Sequence, residues 1–428
     1  MKCWGAGGSG NLGYGDTSDR GDEASEMGTN LPVIELGTGK TAKQISLGNF
    51  FTCAILNDDT LKCWGRGSLG RLGYGDTNNR GDGANGMGDN LETVDLGTNT
   101  TVKQVGVGFQ HTCAVLNDDT VKCWGRGSDG QLGYGDMNNR GDQANEMGNN
   151  LLTVDLGTGK TAKQLFTGFY HNCAILNDYT VKCWGDNSRG QLGYGDTTKR
   201  GDGPNQMGNH LPVVDLGTNK RAKQIVLGSA HTCAILNDDT VKCWGNGGNG
   251  ILGSGDTSHR GNTGAGANTC NDGKEMGDCL PIVNLGTNKK AKQLAAGGYH
   301  TCALLNDDTV KCWGQGNSGQ LGYGDTSKRG DGPNEMGNNL PTVDLGTGKS
   351  AKQIFASKGD QTCAILNDDT VKCWGDGGSG RLGYGDTQNR GDGANEMGDK
   401  LPVVDIGGMR PQTLTYGCLL YTSPSPRD

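Results

Sequence analysis

Cysteine and histidine are the side chains through which this 428-residue chain could do chemistry, and both recur at fixed places. Cys53 stands ten residues before Cys63, and the same spacing links Cys113 to Cys123, Cys173 to Cys183, Cys233 to Cys243, Cys302 to Cys312 and Cys363 to Cys373. Such pairs can oxidise, pack as reduced apolar thiols, or hold a metal. Zinc is the poorest of the three readings: no short C-x-x-C knuckle is present and no histidine follows at a ligand offset. His111, His171, His231 and His300 each stand just before "TC" or "NC", a place locked to the repeat, so each is expected to make a structural hydrogen bond rather than join a metal site. No Ser, His and Asp constellation lies outside the repeat, and no Gly-rich phosphate loop opens a helix. The expectation is therefore a protein that is not an enzyme and uses no cofactor and no metal.

The elements that must carry these residues are repeated. The tripeptide CWG begins at Cys3, Cys63, Cys123, Cys183, Cys243, Cys312 and Cys373, and it contains all seven tryptophans. Glycine, 79 residues in all, keeps fixed offsets inside each unit and reads as turn positions rather than linker. A net charge of -8 with evenly scattered Lys and Arg argues against direct nucleic-acid binding. No apolar run reaches the roughly 18 residues that a membrane span needs.

Within one unit, "AKQISLG", "TCAILN", "TLKCWG" and "LETVDLG" read as four short strands, A to D, separated by Gly, Asn, Asp and Thr clusters. A three-residue loop at Asn57, Asp58 and Asp59, with Asp59 left-handed, places Cys53 opposite Cys63, close enough to bond. Each such disulfide would stabilise the unit by roughly 2 to 3 kcal/mol. Buried reduced thiols remain the alternative. Four-stranded units repeated about seven times suit a closed β-propeller, in which each blade covers its neighbour's faces.

The run from Gly297 to Thr326, "GGYHTCALLNDDTVKCWGQGNSGQLGYGDT", resembles the regulator of chromosome condensation repeat family. The resemblance spans residues 1 to about 407 and implies an all-β fold: a seven-bladed propeller of four-stranded antiparallel blades. The paired cysteines resemble the disulfide-bearing branch, which implies an extracellular or secretory location, with cytoplasm or nucleus as the alternative. The nuclear founder of the family is an exchange factor for the GTPase Ran. No segment here matches its exchange-promoting loop residue by residue, so a guanine-nucleotide exchange role stays the second reading.

Residues 1–36 supply only strands C and D, and complete blades are expected at about 41–98, 101–158, 161–218, 221–287, 290–347 and 350–407. One blade is thus expected to be incomplete, with Cys3 unpaired and the sequence a fragment. Residues 408–428 are expected to lie outside the propeller, and residues 418–428 read letter for letter as a translated sequencing adapter.

Strand alternation sends the A to B and C to D loops to one end and the B to C turns and D to A connectors to the other. The second end repeats charges of both signs and reads as a solvated, self-compensating face. At the first end the units differ. Phe50, Phe51, Phe109, Phe169, Tyr170 and Tyr299, with Arg66, Arg126 and Arg189, are therefore the candidate partner-binding residues. The expected partner is another protein or a surface glycan, met by a monomer. RGD at Arg20, Arg80, Arg140, Arg200, Arg329 and Arg390 reads as a loop-stabilising Arg and Asp, and "DTNNRGD" from Asp76 to Asp82 as a weak calcium motif. The one long C to D insertion, 262–279, is expected to be stapled by Cys270 and Cys279 and to offer a further contact.

Overall fold

The computed structural model describes residues 1–262, 276–415 and 418–422. Among these there is no α-helix, and the strands form seven three-stranded sheets, each in the order A, B, C. Strand A is Ala42–Leu47 in the first complete unit, strand B is Phe51–Leu56 and strand C is Leu61–Gly65. The B to C loop has the expected geometry: Asp59 takes φ 64° and its counterparts Asp119, Tyr179, Asp239, Asp308 and Asp369 do likewise. Cys53 consequently faces Cys63, with Cα atoms 4.1 Å apart, and the two are bonded. All five later pairs are bonded in the same way.

Strand D is corrected. The segment that ends each unit is extended but makes no ladder, touching strand C through single bonds such as Val94 N–H to the Leu61 carbonyl, 2.8 Å. Two features prevent a ladder. Pro32, Pro212, Pro281, Pro341 and Pro402 remove a donor from it. Its last Leu carbonyl is taken by a buried lysine of the following unit, as when Lys182 Nζ donates to Leu156 O (2.9 Å) while also donating to Gly208 O of its own unit (2.7 Å).

The sheets meet face to face around an axis lined by strand A. Strands B and C are covered on both faces and are buried almost throughout, which is why their sequences run apolar without alternation. The tryptophan of each CWG reaches into the preceding unit. Trp64, Trp124, Trp184, Trp244, Trp313 and Trp374 donate their indole N–H to the carbonyls of Asn11, Arg71, Gln131, Gln191, Ile251 and Gln320. Each buried indole contributes roughly 4 to 6 kcal/mol of apolar burial, against about 1 kcal/mol for its hydrogen bond, so the burial binds the sheets and the bond fixes their register.

The seam is closed, contrary to the expected incomplete blade. Trp4 donates to the carbonyl of Arg381, 3.2 Å away and 377 residues along the chain. Lys2–Cys3 pairs with Cys418–Thr422, which pairs in turn with Arg410–Thr415, and Cys3 is bonded to Cys418. The tail expected outside the ring therefore supplies strands A and B of the first sheet, and Cys3 is not unpaired. The physical reason is the edge of Lys2–Cys3, whose backbone groups need a strand. The Thr- and Leu-rich strands Arg410–Thr415 and Cys418–Thr422 answer it, with Cys418 directly opposite Cys3.

Candidate functional site

The axis is a channel with a cavity of about 470 Å³, lined by the A strands. A belt of glutamines girdles it. Gln44, Gln104, Gln224 and Gln293 each donate to a carbonyl of the next A strand (Val105, Leu165, Leu294, Ile354) and accept the N–H of the same residue. Gln reaches across with both a donor and an acceptor, which accounts for the "KQ" of these four units.

At one end of the channel the A to B loops bond to each other around the mouth: Phe109 N–H to Phe169 O, Phe169 N–H to Gly228 O, and Ser229 N–H to Gly298 O. This scaffold gathers three of the candidate aromatics. Phe109 and Phe169 stack at 5.1 Å, and Tyr170 lies 5.5 Å from Phe109. Arg126 covers the Tyr170 ring at 5.1 Å and pairs with Asp129. Phe50 and Tyr299 are the exposed aromatics of the set, at 40% and 42%. Arg66 is exposed, and Arg189 is exposed beside His259.

Two candidates are corrected. Phe51 is 1% exposed because it fills the core position that histidine takes in other units, with the Arg71 guanidinium over its ring. Phe169 is also largely buried, serving as the floor on which Phe109 stacks. Sequence reading missed Lys358, Arg71 and Arg381. Lys358 stands in the one A to B loop that departs from the pattern, "SKGDQ", and its ammonium donates to the Val107 carbonyl across the mouth. Arg71 and Arg381 replace the Gln found at 131, 191 and 320, a substitution legible in the sequence.

The histidines face the neighbouring sheet. His171 and His231 bond through Nε2 to the hydroxyls of Thr232 and Thr301, His300 to that of Thr362, and His111 to the amide oxygen of Asn172. Each of those partners in turn donates to the carbonyl that receives the tryptophan. Nε2 must therefore carry the proton, and Nδ1 of all four rings is buried without a partner. Burial holds their pKa values at about 4 for His111 and His300 and about 3 for His171 and His231.

The RGD arginines are structural. Each pairs with the Asp four residues earlier, as Arg80 does with Asp76 at 2.7 Å, and stacks on a Tyr, 4.9 Å for Tyr74. That same Asp76 accepts the Asn78 N–H, so the oxygens of the weak calcium motif are engaged. The opposite end of the ring carries ion pairs such as Lys103–Asp119 and Lys223–Asp239 around every B to C turn. Exposed pairs of this kind contribute little stability, but they leave a face with its charge compensated. Within the insertion, Cys270 lies outside the described residues.

Comparison with known proteins agrees with this geometry. The profile of the regulator of chromosome condensation (RCC1) repeat matches residues 42–71, 102–131, 162–191, 222–251 and 291–320, and a second profile of that repeat matches 181–235. Five of its units carry the RCC1 repeat. The ultraviolet-B receptor UVR8 of Arabidopsis thaliana is 28% identical over 337 residues, which are 77% of this chain and 64% of UVR8, so the chain spans less than two thirds of that relative. The crystal structure of human WBSCR16 superposes with a TM-score of 0.70 at 18% identity, covering 98% of this chain and 99% of that one. Prp20p of Saccharomyces cerevisiae, described with its binding properties to Gsp1p and histones, superposes with a TM-score of 0.64 at 16% identity over 97% and 89%. These likenesses establish the fold.

Proposed function

We propose that this RCC1-repeat protein is a non-catalytic recognition scaffold, a seven-bladed ring that grips a partner protein with its A to B and C to D loop face. One observation carries the reading: the Phe109, Phe169, Tyr170 and Arg126 cluster, flanked by exposed Phe50 and Tyr299, lies on the face where otherwise copied units differ. Aromatic and arginine side chains held on a rigid frame supply most interface energy. The charge-compensated opposite face carries one exposed aromatic, Tyr179, covered by Lys163 and Arg221, but no aromatic cluster among the described residues. Six hairpin disulfides support folding in an oxidising compartment, outside the cell or in the secretory lumen, as a monomer.

Partner capture by photo-crosslinking tests this. A crosslinker at Tyr299 is expected to trap the partner, and one at Lys43, on the opposite end, is not. Replacing Phe50 and Tyr299 together by Ala is expected to weaken binding about tenfold or more. Trapping from Lys43 alone would overturn the assignment of the face.

A further inference from the structure

The mouth of the channel holds a pocket of about 250 Å³, walled by Phe50 and Phe109 and reached by Lys358 and Arg381. Its charges are uneven. Arg381 is spent on Asp376, 2.7 Å away, and Asp360 lies beside that pair. Arg126 and Lys199 share Asp129 further round the mouth. His111 and His171, whose rings feel the Lys358 charge, are neutral. Lys358 is left with one hydrogen bond, to Val107 O, and no carboxylate pairs with it among the described residues. Arg71, in the adjoining unit, likewise bonds only to Ser68 and the Asn49 carbonyl.

An enclosed ammonium without a counter-ion costs free energy that an incoming anion returns. Two aromatic walls beside it select an anion carried on a flat apolar body. We propose that this pocket binds an aryl-bearing carboxylate, its oxygens on Lys358 and its ring between Phe50 and Phe109. The inference rests on the recognition reading and sharpens it. Such a carboxylate has two sources: a free small acid, or the acidic side chain of a partner segment next to an aromatic residue.

The ammonium's own chemistry supplies the diagnostic. Burial lowers Lys358 to about 7, whereas an ordinary lysine stays charged to about 10. Because the carboxylate takes the charged form, its affinity is expected to be level below pH 7 and to fall about tenfold per unit above it. Among the described residues facing the pocket, the imidazoles are already neutral above pH 7, and Asp360, raised by burial and by Asp376, lies beside Arg381.

The experiment uses the full chain with three probes: 3-phenylpropanoate, its neutral amide, and the blocked dipeptide acetyl-Phe-Glu-amide. Ligand-detected NMR and calorimetry at pH 6, 7, 8 and 9 are expected to show binding of the two acids, not of the amide, with the stated decline. The tighter acid identifies the source. Lys358→Met is expected to lose at least about tenfold affinity and the pH dependence, with folding checked by tryptophan fluorescence; Lys358→Arg should keep binding and lose the decline. Equal binding of the amide, no binding of either acid at 10 mM, or unchanged affinity in Lys358→Met would each overturn the proposal. If the pocket fails while crosslinking from Tyr299 still succeeds, the recognition face stands without it.

Discussion

Lowering the pH from 7 to 5 is expected to remove most of the folding stability through the four buried imidazoles. Their values, about 3 to 4 in the folded ring against 6.5 in the unfolded chain, are depressed. The sign follows: the unfolded chain binds protons first, so stability is present above pH 6.5 and is lost as pH falls from there towards 4. At pH 5 each unfolded histidine is almost fully charged and each folded one almost fully neutral, which costs about 2 kcal/mol per residue and about 7 kcal/mol for four. That is comparable with the whole stability of an ordinary domain. Lys358 acts only above pH 7, and carboxylates such as Asp58, lowered to about 2 by Lys40, act below pH 4; the raised carboxylates Asp22, Asp331 and Asp360 oppose the trend. Urea titrations followed by tryptophan fluorescence, disulfides intact, should give this slope. His231→Gln, which copies the natural Gln361, should reduce the loss by about a quarter. A variant with all four replaced but the same acid slope would refute the reasoning.

Two further outcomes follow from departures within the repeat. Ser254 stands where six units have a Tyr whose hydroxyl serves both backbone groups of the CWG cysteine, and Arg260 lacks the ring on which its counterparts stack. Ser254→Tyr is expected to raise Tm by a few degrees, read by calorimetry, corresponding to about 1 kcal/mol or more. Lys182→Met should destabilise by about 2 to 3 kcal/mol in urea, because it strips the Leu156 and Gly208 carbonyls of their buried donor.

The period, the B to C hairpins and the cysteine pairs were legible in the sequence because each is decided within fifteen residues by turn chemistry and spacing. The fate of "LPVVDLG" was not, since its Pro and the lysine of the next unit act against a ladder that its β-rich composition favours. Closure by Arg410–Thr415 and Cys418–Thr422 was hidden for a different reason: these strands lack the wording of strands A and B and share with them only β-propensity and one cysteine. For the site, variation between copies located the face. Alternation could not tell Phe51 from Phe50, one residue apart but pointing into the core and out of it, and Lys358 acts on a strand 251 residues away.

The indole clasp makes the number of units a collective property. Each tryptophan sets the angle to the unit before it, and the bond from Trp4 to Arg381 forms only when those angles sum to a full turn. A crossover between units this alike would add or delete one copy without harming any single fold. The product would still fail, because its two ends would overshoot or fall short. Selection on the circle can thus hold the copy count constant while point mutations diversify the loops at the mouth.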